Sequence, residues 1–263
     1  MLHSLLLLLS TCYLPSPPPV SAEPVPPVQD QEELPDKRPE VKELIGRLDD
    51  HAGARGKEDN EAVAVIDQIL QEWPRSGPKD RGSIVKALGK VFNQTRKALS
   101  EGVPDNKLFL AAATALGEMG THATKELEKW IGNKKHRKDL QLQRRLVLSL
   151  GKTRDPKAIK RLVGLLNDKD IIVVAASCQA LGEFEEADQK LRKEAFNELL
   201  KLLMTTKTLA ADGNDLISRE RYDAIAAPII TTLQKLSGHD ERKPEEWQRW
   251  WNKNKKADWD AED

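Results

Sequence analysis

Cysteine, aromatic side chains, long apolar runs and net charge are all scarce in this chain of 263 residues. The only cysteines are Cys12 and Cys178, so no disulfide framework can hold the fold together. Aromatics make up 5% of the residues, and a β-sandwich or barrel of this length would draw on more of them, and on more Val, Ile and Thr. No apolar run approaches the ~20 residues that a membrane helix requires, which excludes a polytopic membrane protein. The 42 Lys and Arg are matched by 42 Asp and Glu, so the formal net charge is zero. That balance argues against a nucleic-acid-binding protein of the strongly basic kind.

Catalytic and cofactor signatures are missing as well. There is no Gly-x-Ser-x-Gly elbow, and His51, His122, His136 and His239 form no zinc-protease spacing. Gly151-Lys152-Thr153 has the ending of a phosphate-binding loop, but the earlier glycine of that motif would fall on Leu146, inside a helical stretch. Asp212-Gly213-Asn214-Asp215 starts like a calcium loop, and Leu216 and Ser218 then break the alternation of oxygen ligands, so it reads as a turn. The sequon Asn93-Gln94-Thr95 lies in helical sequence. No catalytic residue, cofactor or metal site is expected.

What is present is a surplus of Leu, Ala, Lys, Glu, Arg and Gln, all helix formers. The N-terminus reads as an address. Leu5 to Leu9 form an unbroken apolar run that continues through Tyr13 and Leu14, and Val20-Ser21-Ala22 offers small residues for a signal peptidase. Residues 1–22 are therefore expected to be a signal peptide, and the mature chain periplasmic or extracellular. No Lys or Arg precedes the leucines. A lipid anchor on Cys12 is the alternative, with Thr11 standing where Gly, Ala or Ser is usual. Residues 23–39, with Pro24, Pro26, Pro27, Pro35 and Pro39, read as a disordered acidic linker. Removing the signal would leave Cys178 alone, within the apolar run from Val173, where it reads as a small core residue.

A repeat occupies the middle of the chain. Leu-Gly closes an apolar helix at Leu88-Gly89, Leu116-Gly117, Leu150-Gly151 and Leu181-Gly182, at steps of 28, 34 and 31 residues, and Leu236-Ser237-Gly238 is a looser fifth instance. Each glycine is expected to be a left-handed helix C-cap. In the clearest unit, Asp155 is a natural N-cap, Pro156 suits the first helical turn, and Ile159, Leu162, Val163, Leu165 and Leu166 form one apolar stripe. The run from Val173 to Leu181 is apolar nearly all round and must be buried between neighbours, which a stack of helix pairs provides.

The pattern of residues 150–182, a Leu-Gly, an Asp-Pro, the stripe from Ile159 to Leu166 and a small apolar second helix ending in Ala-Leu-Gly, resembles the bacterial HEAT repeat. The likeness extends more loosely to 108–132, 82–99 and 187–204. The family often carries an Arg after the Val that starts the second helix. Val174 and Phe109 stand there in this chain, so stacking is expected to rest on apolar contacts. Similar Pro-x-x-Trp-x-x-Trp-Trp tails close HEAT arrays in exported bacterial proteins. Here Trp247, Trp250 and Trp251 share one helix face and are expected to cap the open end, with an aromatic ligand platform as the alternative. The expected fold is all-α: an α-solenoid of about five or six stacked antiparallel helix pairs over residues 40–256, without a β-sheet, followed by an acidic tail at 257–263.

Zero net charge conceals a division. Residues 125–161 hold 13 basic against four acidic side chains, whereas residues 23–61 hold six basic and 12 acidic. In helical projection Lys125 and Lys129, then Lys157, Lys160 and Arg161, then Lys190, Lys193 and Lys201 lie opposite the apolar stripes of successive helices. Lys134, Lys135, Arg137, Lys138, Arg144 and Arg145 fall between the first two groups. A basic band facing an acidic partner is one expectation, and a solvated face balanced by the acidic N-terminal region is the other. Lys125, Lys129, Arg144, Arg145, Lys157, Lys160, Arg161 and Lys193 are the candidate partner-binding residues. The expected function is a non-catalytic exported scaffold binding a protein or envelope component. A polyanion-binding protein using 125–161 and a HEAT-like lyase subunit are the alternatives.

Overall fold

The computed structural model describes residues 34–96, 106–211 and 215–261. The signal segment with Cys12, the linker up to residue 33, residues 212–214 of the expected turn and the last two residues lie outside them. The described residues contain 11 α-helices and no strand. In order these are α1 (Pro39–Gly53), α2 (Asp59–Glu72), α3 (Pro78–Val91), α4 (Lys107–Glu118), α5 (Thr124–Trp130), α6 (Leu140–Lys152), α7 (Ala158–Leu165), α8 (Ile171–Leu181), α9 (Gln189–Ala210), α10 (Leu216–Ser237) and α11 (Pro244–Asn254).

The helices form two layers. α1 packs on α3, α3 on α5, and α7 on α9, while α2, α4, α6, α8 and α10 pack each on the next. From α1 to α10 each odd helix also packs on the even helix that follows it, so the described residues build five helix pairs, and α11 lies against α9. The apolar spacing accounts for these positions. Val41, Leu44, Leu48 and Ala52 form the one buried stripe of α1, an outer helix. α8 has seven of its 11 residues buried, among them Val173, Val174, Cys178 and Leu181, because α6, α7 and α10 surround it. Val174 and Phe109 are both in the core, so apolar packing occupies the positions where the family often has an Arg.

The repeated glycines depart from expectation. Only Gly238 takes the left-handed conformation, at φ 69°; Gly89, Gly117, Gly151 and Gly182 do not. These four instead bring neighbouring elements close together. A Cβ on Gly117 would stand 3.0 Å from that of Ser149 on α6, and one on Gly151 2.7 Å from that of Ala180 on α8. One on Gly182 would stand 3.1 Å from the Thr232 hydroxyl of α10, and Gly89 leaves room for the Glu126 carboxylate.

Both ends of the domain are more ordered than composition suggests. The Asp36 carboxylate accepts from the backbone N–H of Lys79 (2.8 Å) and Asp80 (3.2 Å) at the start of α3. The Asp80 carboxylate accepts in return from the N–H of Lys37 (2.9 Å) and Arg38 (3.1 Å). Arg38 also pairs with Glu72 at 2.5 Å, and that hydrogen bond holds the Glu72 carboxyl below the usual carboxylate range. The expected linker therefore gives way to fixed structure by residue 36, and α1 begins at Pro39. At the other end, the expected acidic tail folds back. Trp259 packs on Phe196 with ring centroids 5.4 Å apart, and Asp260 pairs with Arg192 of α9.

Candidate functional site

The helices α7, α9 and α11 carry two adjoining cavities. Before α7 the chain turns at Arg154, which sits at φ 51°, and the Asp155 carboxylate accepts from the Lys157 N–H at 3.0 Å. The helix proper begins at Ala158, later than the Pro156 start expected from sequence. Its buried stripe of Ala158, Ile159, Leu162 and Leu165 leaves Lys157, Lys160 and Arg161 exposed. α9 starts with Asp188 accepting from the Lys190 N–H at 2.8 Å, and its buried face runs through Ala195, Phe196, Leu199 and Leu203.

Two cavities flank the outward ridge of α9. One, of about 730 Å³, lies between α7 and α9 over Ile159, Val163 and Leu191, with Lys157 and Lys160 on its α7 side. The other, of about 880 Å³, lies between α9 and α11 beside Trp251, with Lys190, Lys255 and Lys256 around it. Glu194 and Asn197 of α9 line both, so the two are one surface crossing three helices. Among the described residues, no ion pair or hydrogen bond engages the ammonium group of Lys157, Lys160, Lys190, Lys255 or Lys256. Glu194 is likewise unpaired, whereas Glu198 is taken by Lys201 at 2.6 Å.

The eight candidate residues do not form one band. Lys157 and Lys160 line the first cavity. Lys193 lines the second, but its ammonium donates to the Ala257 carbonyl at 2.6 Å and the Gln189 side chain at 3.0 Å, so it fixes the chain's own C-terminal segment. Arg161 turns to the other flank of α7, where it donates to the Ile131 carbonyl at 3.2 Å. There it borders a separate cavity of about 540 Å³ with Arg137, Lys138 and Lys169. Lys125 and Lys129 are exposed on α5, and Lys129 pairs with Glu126 at 3.0 Å. Arg144 and Arg145 are exposed on α6, which belongs to the other layer.

Phe196 is the hub of the C-terminal end. Trp247, Trp250, Trp251 and Trp259 surround its ring at centroid distances of 5.6, 5.4, 5.0 and 5.4 Å. Trp247 is wholly buried, and Trp250 and Trp251 are half-buried. The guanidinium of Arg192 and the ammonium of Lys193 lie 5.9 and 5.3 Å from the Trp259 ring centre. Trp259, Lys255 and Lys256 are not among the sequence candidates. Trp259 lies beyond the end of α11 at Asn254 and reaches the other three tryptophans because the chain turns back there. Cys178 is fully buried, and burial pushes its thiol up to about 12, far from the lowered values of reactive cysteines.

The family model for HEAT repeats matches residues 135–209. That stretch is a HEAT array. It takes in α6 to all but the last residue of α9, and so contains both sides of the α7–α9 cavity. It includes the segment 150–182, where the resemblance is strongest, and also 187–204, while 82–99 and 108–132 fall outside the match. HEAT repeats are scaffolds for protein–protein interaction. No curated protein matches the chain.

Proposed function

We propose that this chain is a non-catalytic exported scaffold that binds a protein partner across α7 and α9 of its HEAT repeats and the α11 that follows them. The observation that carries the reading is the pair of open cavities meeting over α9, with apolar surface at Val163, Leu191 and Trp251 and lysines whose ammonium groups pair with no carboxylate among the described residues, while Asp188, Glu194, Glu198 and Asp258 line the same cavities. Ammonium groups left unpaired around apolar surface attract an acidic partner, and the apolar floor supplies area to bury once it has docked. Export rests on the N-terminal leucine run and Ala22.

The test is capture from envelope extracts at low and high salt with the tagged full chain and with its Lys157→Glu/Lys160→Glu variant. A protein retained by the parent chain and lost by the variant supports the reading. Retention by both places the partner elsewhere on the scaffold. Recovery of only anionic polymer, released by salt, would replace this reading with polyanion binding.

A further inference from the structure

The surface over α9 has a shape and charge pattern that specify its occupant more closely. Adjacent packed helices lie roughly 8–10 Å apart, so the path from Lys157 and Lys160 across α9 to Lys255 and Lys256 is about 20 Å. An extended chain rises ~3.3 Å per residue, so about six or seven residues span that path. A helix laid the same way would be about 10–12 Å wide, and its bulk would have to ride over the α9 ridge rather than enter both cavities. Lysines stand at each end of the path; at the α11 end Asp188 and Asp258 stand with them, the first accepting from the Lys190 N–H and the second from the Gln189 amide. Glu194 stands at the crossing with no partner among the described residues. Val163 and Leu191 offer apolar surface on one side of the crossing and Trp251 on the other.

We propose that this face docks an extended peptide segment of a partner protein, acidic at both ends and aliphatic between. It rests on the scaffold reading above and names the chemistry of the partner. The terminal carboxylates pair with Lys157 and Lys160 at the start of α7 and with Lys255 and Lys256 after α11. The aliphatic residues cover Val163, Leu191 and the exposed part of Trp251. Glu194 repels acidic side chains from the centre and so sets where the acids fall in the bound segment. Lys193 takes no part as a free cation, because the Ala257 carbonyl and Gln189 hold it. Arg144 and Arg145, on α6 in the other layer, also take no part.

The experiment uses the full chain and fluorescein-labelled seven-residue peptides. One has two acidic residues at each end and three aliphatic residues between them; a second has Asn and Gln in place of the acids; a third has the acids gathered at the centre. Fluorescence anisotropy is expected to show the first binding at least tenfold more tightly than the other two. Lys157→Glu/Lys160→Glu and Lys255→Glu/Lys256→Glu should each weaken it at least tenfold. Glu194→Gln should improve binding of the acid-centred peptide, and Arg144→Glu/Arg145→Glu should change nothing. Far-UV circular dichroism and the melting temperature check that each variant is folded.

Equal binding of the amide peptide would overturn the proposal, and so would a loss of binding confined to the α6 variant. Binding of polyglutamate or a sulfated polysaccharide in preference to all three peptides would overturn it in favour of a polyanion. Absence of peptide binding, with a protein partner still captured from extracts by the parent chain, would overturn this occupant and leave the scaffold reading standing.

Discussion

The Cβ that Gly151 lacks would stand 2.7 Å from the Cβ of Ala180, closer than two such atoms can lie. Gly151 is near the end of α6 and Ala180 near the end of α8, so the glycine permits successive inner helices to close up. Gly151→Ala should therefore destabilise the array. Overpacking costs about 1–3 kcal/mol, and the helix-propensity gain of at most about 1 kcal/mol offsets only part of it. Ala180→Gly on that background should restore only a fraction, because the Ala180 carbonyl is equally close at 2.7 Å. Gly46 is the opposite case: it is exposed in α1, and a Cβ added to it would meet nothing within 4 Å. Gly46→Ala should raise stability by about 0.5–1 kcal/mol. Urea unfolding of the three variants measures both signs.

These glycines also mark the limit of what sequence reveals. Their spacing gave the repeat, and the stripe from Ile159 to Leu166 gave the helix pair, because periodicity is a local property of the chain. Their conformation was not legible. A glycine ending an apolar helix suits a left-handed cap and a close helix contact equally, and only the neighbouring helix distinguishes them. The basic band misled for a related reason. Arg144 and Arg145 follow the lysines of α5 in sequence, but the layer alternates from helix to helix, so they belong on the opposite side. Trp259 was missed because it lies past the end of α11 and meets Phe196 through a chain reversal that local periodicity does not encode.

His136 should make the array acid-sensitive. It is buried among Phe92, Phe109 and Trp130, with ring centroids 6.2, 5.0 and 5.7 Å away, and its Nε2 donates to the Phe92 carbonyl at 2.7 Å. Burial lowers its pKa from 6.5; the nearby Lys135 adds to the lowering, while the Phe92 carbonyl and Asp139 oppose it. A histidine held neutral by the fold contributes stability that is complete above the unfolded value and is lost as pH falls through the folded one. Stability should thus decline from about pH 6.5 downward, at no more than about 1.4 kcal/mol per pH unit for this one proton. In His136→Gln, whose amide can still donate to Phe92, that part of the decline should vanish. Parallel pH–stability curves for parent and variant would show that His136 is not responsible.

Trp247 gives a prediction that depends on one atom. Its ring is fully buried against Phe196, but its Nε1–H is buried without a hydrogen-bond acceptor. Trp247→Ala should cost about 3–5 kcal/mol by opening a cavity under α11. Trp247→Phe also loses volume, but it removes an unsatisfied donor whose burial costs about 1–3 kcal/mol, so it should fall within about 1 kcal/mol of the parent. A loss from the phenylalanine variant as large as that from the alanine variant would mean that the indole N–H is satisfied after all.

Asp59 and Arg96 form the one ion pair among the described residues in which both side chains are almost fully shielded, at 0% and 4% exposure. Two contacts of 2.9 Å join them, and Arg96 also donates to the Ala52 carbonyl at 3.3 Å and lies 5.1 Å from the Phe109 ring centre. The pair thus ties the start of α2 to the chain beyond α3 and to α4. Removing one member strands the other charge in the interior, which costs about 3–5 kcal/mol, whereas exchanging both for apolar groups of similar size is often neutral. Asp59→Leu and Arg96→Met should each be strongly destabilising alone, and the double variant should recover most of the loss. A double-mutant cycle in urea reads the coupling directly. Additive losses would show that water reaches the pair and that neither charge depends on the other.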